Sequence, residues 1–333
     1  MARPKPWKPT GDKSATVAAI PGACSDETLA VEFFERQRWG DSPACPRCGD
    51  TDVFKVTDRK TGQRSRRYLW DCRGCRRQFT VRIGTILEDS RVPLRHWAYA
   101  FWAACASKKG VSALQIKRQT GLSYKSALFL MHRIRWAMAE TPSGPLSGIV
   151  EVDETYVGGK PRAKELKSIS AAGWRSFKKG RRPDFMRRKA PVVALVERGG
   201  RVRVIAPTHV SAANLRQVIQ ANVHPSAHLM TDELNPYKKI GQSFARHDTV
   251  THSRHEYVRG SVTTNTVEGF FSLLKRGLIG TFHHVSRKHL HRYLSEFEFR
   301  YNTRKMDDGE RTMRAIRAAE GKRLMVGYRQ PSP

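Results

Sequence analysis

Three acids and four cysteines are the residues of this chain whose type and spacing could do chemistry. Asp153 follows the apolar run Ile149-Val150-Glu151-Val152, and Asp232 follows His228-Leu229-Met230-Thr231, so each reads as a carboxylate at a strand end. Glu268 falls in a helical pattern, 35 residues separating it from Asp232. An acid at a strand end is often only a turn former. Here, however, 61 Lys and Arg stand against 30 Asp and Glu, a net charge of +31. Carboxylates set against a polyanion weaken binding unless a cation bridges them to phosphate. Oxygen ligands completed by water suit Mg2+ or Mn2+. Two such ions about 3.5–4 Å apart stabilise both the attacking and the leaving oxygen of an in-line phosphoryl displacement. Asn265, Glu268, Ser272 and Lys275 recur at helical spacing on one face, which puts Lys275 in reach of a phosphate or base beside the acids. Glu151 should share the strand face of Asp153 as a supporting residue. Glu154 and Glu233 are expected to face solvent, and Glu296 and Glu298 to act as salt-bridge partners.

The cysteines make a second metal site. Cys45-Pro46-Arg47-Cys48 and Cys72-Arg73-Gly74-Cys75 are two CxxC knuckles with 23 residues between them. Each turns two thiolates toward one point, and together they complete a tetrahedral Zn2+ site. Tyr68-Leu69-Trp70 and Gln78-Phe79-Thr80 supply ribbon strands. Arg47, Arg64, Arg66, Arg67, Arg73, Arg76 and Arg77 surround the site and suit contact with phosphates. Cys24 and Cys105 lie outside the pairs. Cys105 is expected as a small buried residue.

The elements that must position these residues follow from periodicity and punctuation. Residues 1–25 read as a basic flexible tail. Residues 26–90 hold a short helix, capped by Asp26, and the zinc ribbon. Residues 91–145 are helical. Within them Val111 to Ala127 reads as helix, Gly121-containing turn, helix, the pattern of a helix-turn-helix whose second helix would meet DNA through Ser123, Tyr124, Lys125 and Ser126. From 146 to 305 the pattern is α/β. Pro191 to Glu197 and Arg201 to Ala206 flank Gly199-Gly200 as a hairpin. A helix capped by Ser211 covers 211–222. Asp248 to His252 suits a short strand. Asn265 to Arg276 and Ser286 to Thr303 suit two long helices. The order is three antiparallel strands, then alternating helices and parallel strands, which is the order of an RNase H-like fold: a mixed sheet with flanking helices. Residues 159–190 are a basic insert broken by Gly and Pro. Residues 306–333 are expected as a C-terminal tail.

Composition narrows the partners. The basic residues run along the whole length, and nucleic acid is the partner that fits such a charge. The longest apolar run, Trp97 to Ala106, is too short for the roughly 20 residues of a membrane span. No signal-peptide apolar core follows Met1 to Pro9. A cytoplasmic, nucleoid-associated protein with no membrane partner is the expectation.

Two blocks go further. Glu151-Val152-Asp153-Glu154-Thr155-Tyr156-Val157-Gly158-Gly159-Lys160 is one. The other runs from Thr264-Asn265-Thr266-Val267-Glu268-Gly269-Phe270-Phe271 to Phe299-Arg300-Tyr301-Asn302, and contains Leu274-Lys275-Arg276-Gly277 and Gly280-Thr281-Phe282-His283-His284-Val285-Ser286. With these motifs the chain resembles the IS1595-type, or ISXO2-like, insertion-sequence transposases over about residues 25–305. The CxxC pairs resemble the zinc ribbon of that family. The resemblance implies a DDE-type transposase that cuts and joins DNA at terminal inverted repeats with Mg2+ or Mn2+. Carried over, the triad is Asp153, Asp232 and Glu268, with Lys275 seven residues after the Glu. Some subgroups place Asn third, and this chain has Asn265 beside Glu268. A carboxylate holds Mg2+ better than a neutral amide, which favours Glu268. After Asp232 the chain reads Glu233-Leu234-Asn235-Pro236-Tyr237, where relatives often have Gly and Trp.

Transposon ends and target DNA are then the expected partners, with a homo-oligomer assembled on DNA because two ends must be held together. A catalytically inactive or domesticated DNA-binding regulator would need the ribbon and the helical segment alone. Another RNase H-fold nuclease would cleave without joining.

Overall fold

The computed structural model describes residues 12–140, 143–158, 189–251 and 258–324. The chain divides into two compact units, one of residues 1–140 with 303–333 and one of residues 141–302. The basic insert expected at 159–190 lies almost wholly outside the described residues.

The first unit begins with α1 (Asp12–Ser25). The composition of these residues suggests a flexible tail, but Ile20 and Ala23 are buried. Their spacing of three sets both on one helix face, which α1 packs against the next helices. α2 (Glu27–Trp39) starts where the Asp26 carboxylate accepts the Leu29 N–H, as expected. A three-stranded antiparallel sheet follows: β1 (Val53–Lys55), β2 (Trp70–Cys72) and β3 (Gln78–Phe79). Its small core joins Cys45, Trp70, Cys72 and Phe79, with Trp39 edge-on to both aromatic rings. Glu35 is buried and receives the Trp70 Nε1–H at 2.7 Å and the Arg64 guanidinium, fastening α2 to the ribbon.

Three helices complete this unit before its C-terminal part: α3 (Leu94–Ala106), α4 (Ala113–Thr120) and α5 (Tyr124–Met138). The caps explain the boundaries. Ser112 Oγ accepts the Gln115 N–H and Ser123 Oγ the Ser126 N–H. Gly121 ends α4 at φ +72°, a left-handed position that favours glycine. Apolar Ala127, Leu130, Met131 and Ile134 turn inward, whereas Ser123, Tyr124 and Lys125 are exposed. Residues 306–333 are not simply a tail. Asp308–Arg317 is a helix whose Asp307 cap accepts the Glu310 N–H at 2.7 Å. Its buried Met313 and Ile316, three residues apart, close the core of the first unit, and Arg311 donates to the Cys105 carbonyl.

The second unit is a five-stranded sheet in the order β6-β5-β4-β7-β8. Its strands are β4 (Ile149–Val157), β5 (Ala190–Glu197), β6 (Val202–Ile205), β7 (His228–Thr231) and β8 (Arg246–Thr249). β4, β5 and β6 pair antiparallel, while β7 and β8 join β4 in parallel. Strand alternation sends β4 residues to two faces. Val150 and Val152 pack with Leu215, Ile219, Tyr237 and Ile240 of α6 (Ala212–Asn222) and α7 (Asn235–Gly241). On the other face Val192, Ala194, Val196 and Val204 pack with Val267, Phe270, Leu274, Leu294 and Phe297 of α8 (Asn265–Gly277) and α9 (Leu290–Asn302). A hairpin outside the expected elements, β9 (Val258–Arg259) with β10 (Val262–Thr263), precedes α8.

Candidate active site and metal centre

The four cysteines converge. Their sulfurs all lie within 4.8 Å of one another, with Cys45 to Cys75 at 3.7 Å and Cys48 to Cys72 at 3.6 Å. A tetrahedral Zn2+ with bonds of about 2.3 Å separates its sulfurs by about 3.8 Å, so the spacing fits the ion. The two knuckles are built alike. Gly49 N–H donates to the Cys45 carbonyl and Arg76 N–H to the Cys72 carbonyl. Both residues take positive φ, +80° at Gly49 and +54° at Arg76. Burial pushes the Cys45 thiol up, but the N–H groups of Arg47 and Cys48 and the thiols of Cys48 and Cys75 pull it down to about 7, while the other three crowded thiols are pushed up. A thiolate is the form that binds metal.

Asp153, Asp232 and Glu268 interact electrostatically in the second unit, and the sheet register places the first two. Glu151 of β4 pairs with Met230 of β7, so Asp153 and Asp232, each two residues further on, occupy matching positions on adjacent parallel chain segments. Asp153 is not at a strand end. β4 continues to Val157 against β5, so Asp153 sits mid-strand where β7 stops pairing. The Asp153 side chain is half-buried there. Leu234 N–H orients Asp232 at 3.1 Å, and Glu154 N–H orients Asp153 at 2.7 Å. Glu268 lies in the first turn of α8, where Thr264 Oγ1 donates to it at 2.8 Å. Burial, and then the negative charges of Glu154, Asp232 and Glu268, push Asp153 up to about 7. Such mutual repulsion is the electrostatic mark of a place that a cation would stabilise. The oxygen-only donor set suits Mg2+ or Mn2+. The trio is looser than the cysteines, since among the described residues only the sulfurs form a metal-capable group within 4.8 Å.

Asn265, Glu268, Ser272 and Lys275 are all exposed on one face of α8, as the helical spacing implies. Glu154 does not face solvent. It points to the opposite sheet face, where it accepts the Tyr237 hydroxyl at 2.5 Å. Glu233 is half-buried. Glu296 pairs with Arg300, and Glu298 accepts the Val204 N–H.

Glu151 has a larger part than its strand parity conveys. It is 0% exposed and accepts four hydrogen bonds. Thr266 N–H (2.8 Å), Val267 N–H (3.0 Å) and Thr266 Oγ1 (2.9 Å) come from the first turn of α8. Arg198 Nε, from the β5–β6 turn, donates at 2.7 Å. Arg198 also reaches the Ser261 and Thr263 carbonyls. A carboxylate on β4 therefore caps the helix that carries Glu268, two residues from Asp153. Thr264, the residue before α8, makes no side-chain cap of its own. Arg198 gave no signal in the sequence, because its partners lie far along the chain.

Residues 145–302 match the ISXO2-like transposase domain, and residues 25–78 match the transposase zinc-ribbon domain. An uncharacterized protein in transposable element ISH50 of Halobacterium salinarum is 30% identical over 277 residues, covering 82% of this chain and 90% of that protein. The chain belongs to the IS1595-type, ISXO2-like transposase family. An uncharacterized transposase-like protein of Haemophilus influenzae is 28% identical over 102 residues, 31% of this chain and 81% of that protein. No solved structure shows a significant match. The domain match of this ISXO2-like transposase spans all three acids, and the ribbon match spans all four cysteines. DNA is the partner that membership implies. No helix among the described residues is long and apolar enough to cross a membrane.

Proposed function

We propose that this transposase cuts and joins DNA strands at the inverted-repeat ends of an insertion sequence, using Asp153, Asp232 and Glu268 as a DDE set in an RNase H-like domain. The observation that carries the reading is the register match of Asp153 with Asp232 beside Glu268, with Asp153 pushed up by burial and then by its acidic neighbours. The sheet order β6-β5-β4-β7-β8 with helices on both faces supports the RNase H-like assignment. Mg2+ or Mn2+, held by the three carboxylates, would supply charge stabilisation at the attacking and leaving oxygens of the phosphodiester. Asp153 and Asp232 are oriented by backbone N–H groups before any ligand arrives, so little reordering accompanies binding. Glu268 is placed by the cap from Glu151, and Asn265 stands beside it as a helper. Lys275, two turns along the same face, binds a phosphate of the strand being cut.

The ribbon, with structural Zn2+, and the α4–α5 helix-turn-helix serve as DNA-reading modules, Ser123, Tyr124 and Lys125 meeting the groove. Two transposon ends require a homo-oligomer on DNA. Titration calorimetry with Mn2+ tests the metal site. Saturable binding that disappears in both Asp153→Asn and Asp232→Asn is expected, and unchanged binding in both would refute it. Detection of joined as well as cleaved product separates this reading from a plain nuclease.

A further inference from the structure

The second unit holds a cavity of about 680 Å³ that the three acids do not occupy. Lys275 at the end of α8 lines it, with His283, His284 and Arg287 from the segment that follows, and Tyr156 and Ile279. Four of these six side chains are basic residues, no carboxylate lines the cavity, and most of the remaining wall is apolar. A ligand matched to this wall has an anionic group and a flat, weakly polar body. The volume lies in the range of small-ligand pockets.

Two backbone features mark the same place. The chain leaves α8 through a π-helical turn, Leu278–Phe282, a form that recurs at functional sites. His283 then takes φ +57°, a strained conformation for a non-glycine residue. Ile279 is 72% exposed, a large apolar side chain held in water beside cationic groups. Arg287 is already positioned, since its Nη2 donates to the Thr208 carbonyl at 2.8 Å.

We infer that this cavity receives one unstacked nucleotide of the DNA strand being processed, its phosphate on Lys275 and Arg287 and its base against Tyr156 and Ile279. Lys275 stands seven positions after Glu268 on the helix, about 10 Å along the axis, so the held nucleotide neighbours the phosphate at the acids. Extrusion from a duplex must overcome stacking and pairing, and contact with the Tyr156 ring and the apolar wall offsets part of that. The proposal rests on the strand-cutting reading of the acids, but its test needs no cutting.

Binding of the full chain is measured without divalent metal, to a short paired duplex and to the same duplex carrying one unpaired thymidine. A preference of about tenfold for the unpaired form is expected, because its extrusion cost is already met. Ile279→Glu, at an exposed position that folding tolerates, should bring that ratio close to one, and Tyr156→Ala should lower it. Equal binding of the two duplexes by the unaltered protein overturns the proposal, as does an undiminished ratio in both variants. Thymidine monophosphate binding as tightly as the unpaired duplex would instead make this a free-nucleotide site.

Discussion

A buried carboxylate with four donors is the residue on which the acid set depends. Glu151 ties β4 to the first turn of α8 and to Arg198, so it fixes where Glu268 stands relative to Asp153. Glu151→Ala removes a helix cap and leaves Arg198 without its buried partner. A loss of about 2–4 kcal/mol of stability is expected in urea unfolding. A loss under about 0.5 kcal/mol would show that the cap is ornamental. Glu151→Gln keeps two acceptor lone pairs and should fall between the two. None of this was visible from Glu151 alone. Alternation gave its face, but its partners at Arg198 and Thr266 are tens of residues away, and only the fold brings them together. Asp153 shows the same limit. Its apolar lead-in was legible, whereas its mid-strand place depends on two neighbours of unequal length.

At the scale of elements, local signals were read well and tertiary ones were not. The CxxC pairs, the Ser112, Ser123 and Ser211 caps and the Gly199-Gly200 hairpin lie within a few residues of what they control. The helix at Asp308–Arg317 could have been found from Asp307 followed by Met313 and Ile316 at helical spacing. Pro21 and Gly22 hid α1, because a proline inside a helix contradicts propensity and only packing of Ile20 and Ala23 offsets it. The ribbon has three short strands and few buried side chains, so metal should supply much of its folding energy. A zinc-selective chelator should expose Trp39 and Trp70 and shift their fluorescence to the red, with zinc restoring it. An unchanged spectrum in metal-free protein would contradict the four-thiolate site. The turn before α5 makes a separate test. Lys125→Ala should weaken DNA binding without altering the melting temperature, since the side chain is exposed. Ser123→Ala should cost about 1 kcal/mol of stability through its lost cap.

For the whole molecule the charge of +31 is the dominant physical fact. It favours DNA, the partner that family membership implies. DNA affinity should fall by roughly 10³–10⁵ between about 50 and 200 mM salt if about 6–10 phosphates are neutralised. A flat response would exclude electrostatic binding. The family, the ribbon and the order of strands were legible in sequence because they rest on motif and period. The division into units was not, because the C-terminal helix returns to the first unit. The most direct test of the account joins these scales in one reaction. Purified protein, Mg2+, a plasmid target and oligonucleotides bearing the inverted repeats that flank its own gene are incubated together, and joined strands are measured. The expected result is joined product from the unaltered protein. Asp153→Ala, Asp232→Ala and Glu268→Ala should each cut the rate by about 10²–10³ or more while still binding the ends. Joining at the full rate by Asp153→Ala and Asp232→Ala would contradict the assignment of these carboxylates as the reacting centre.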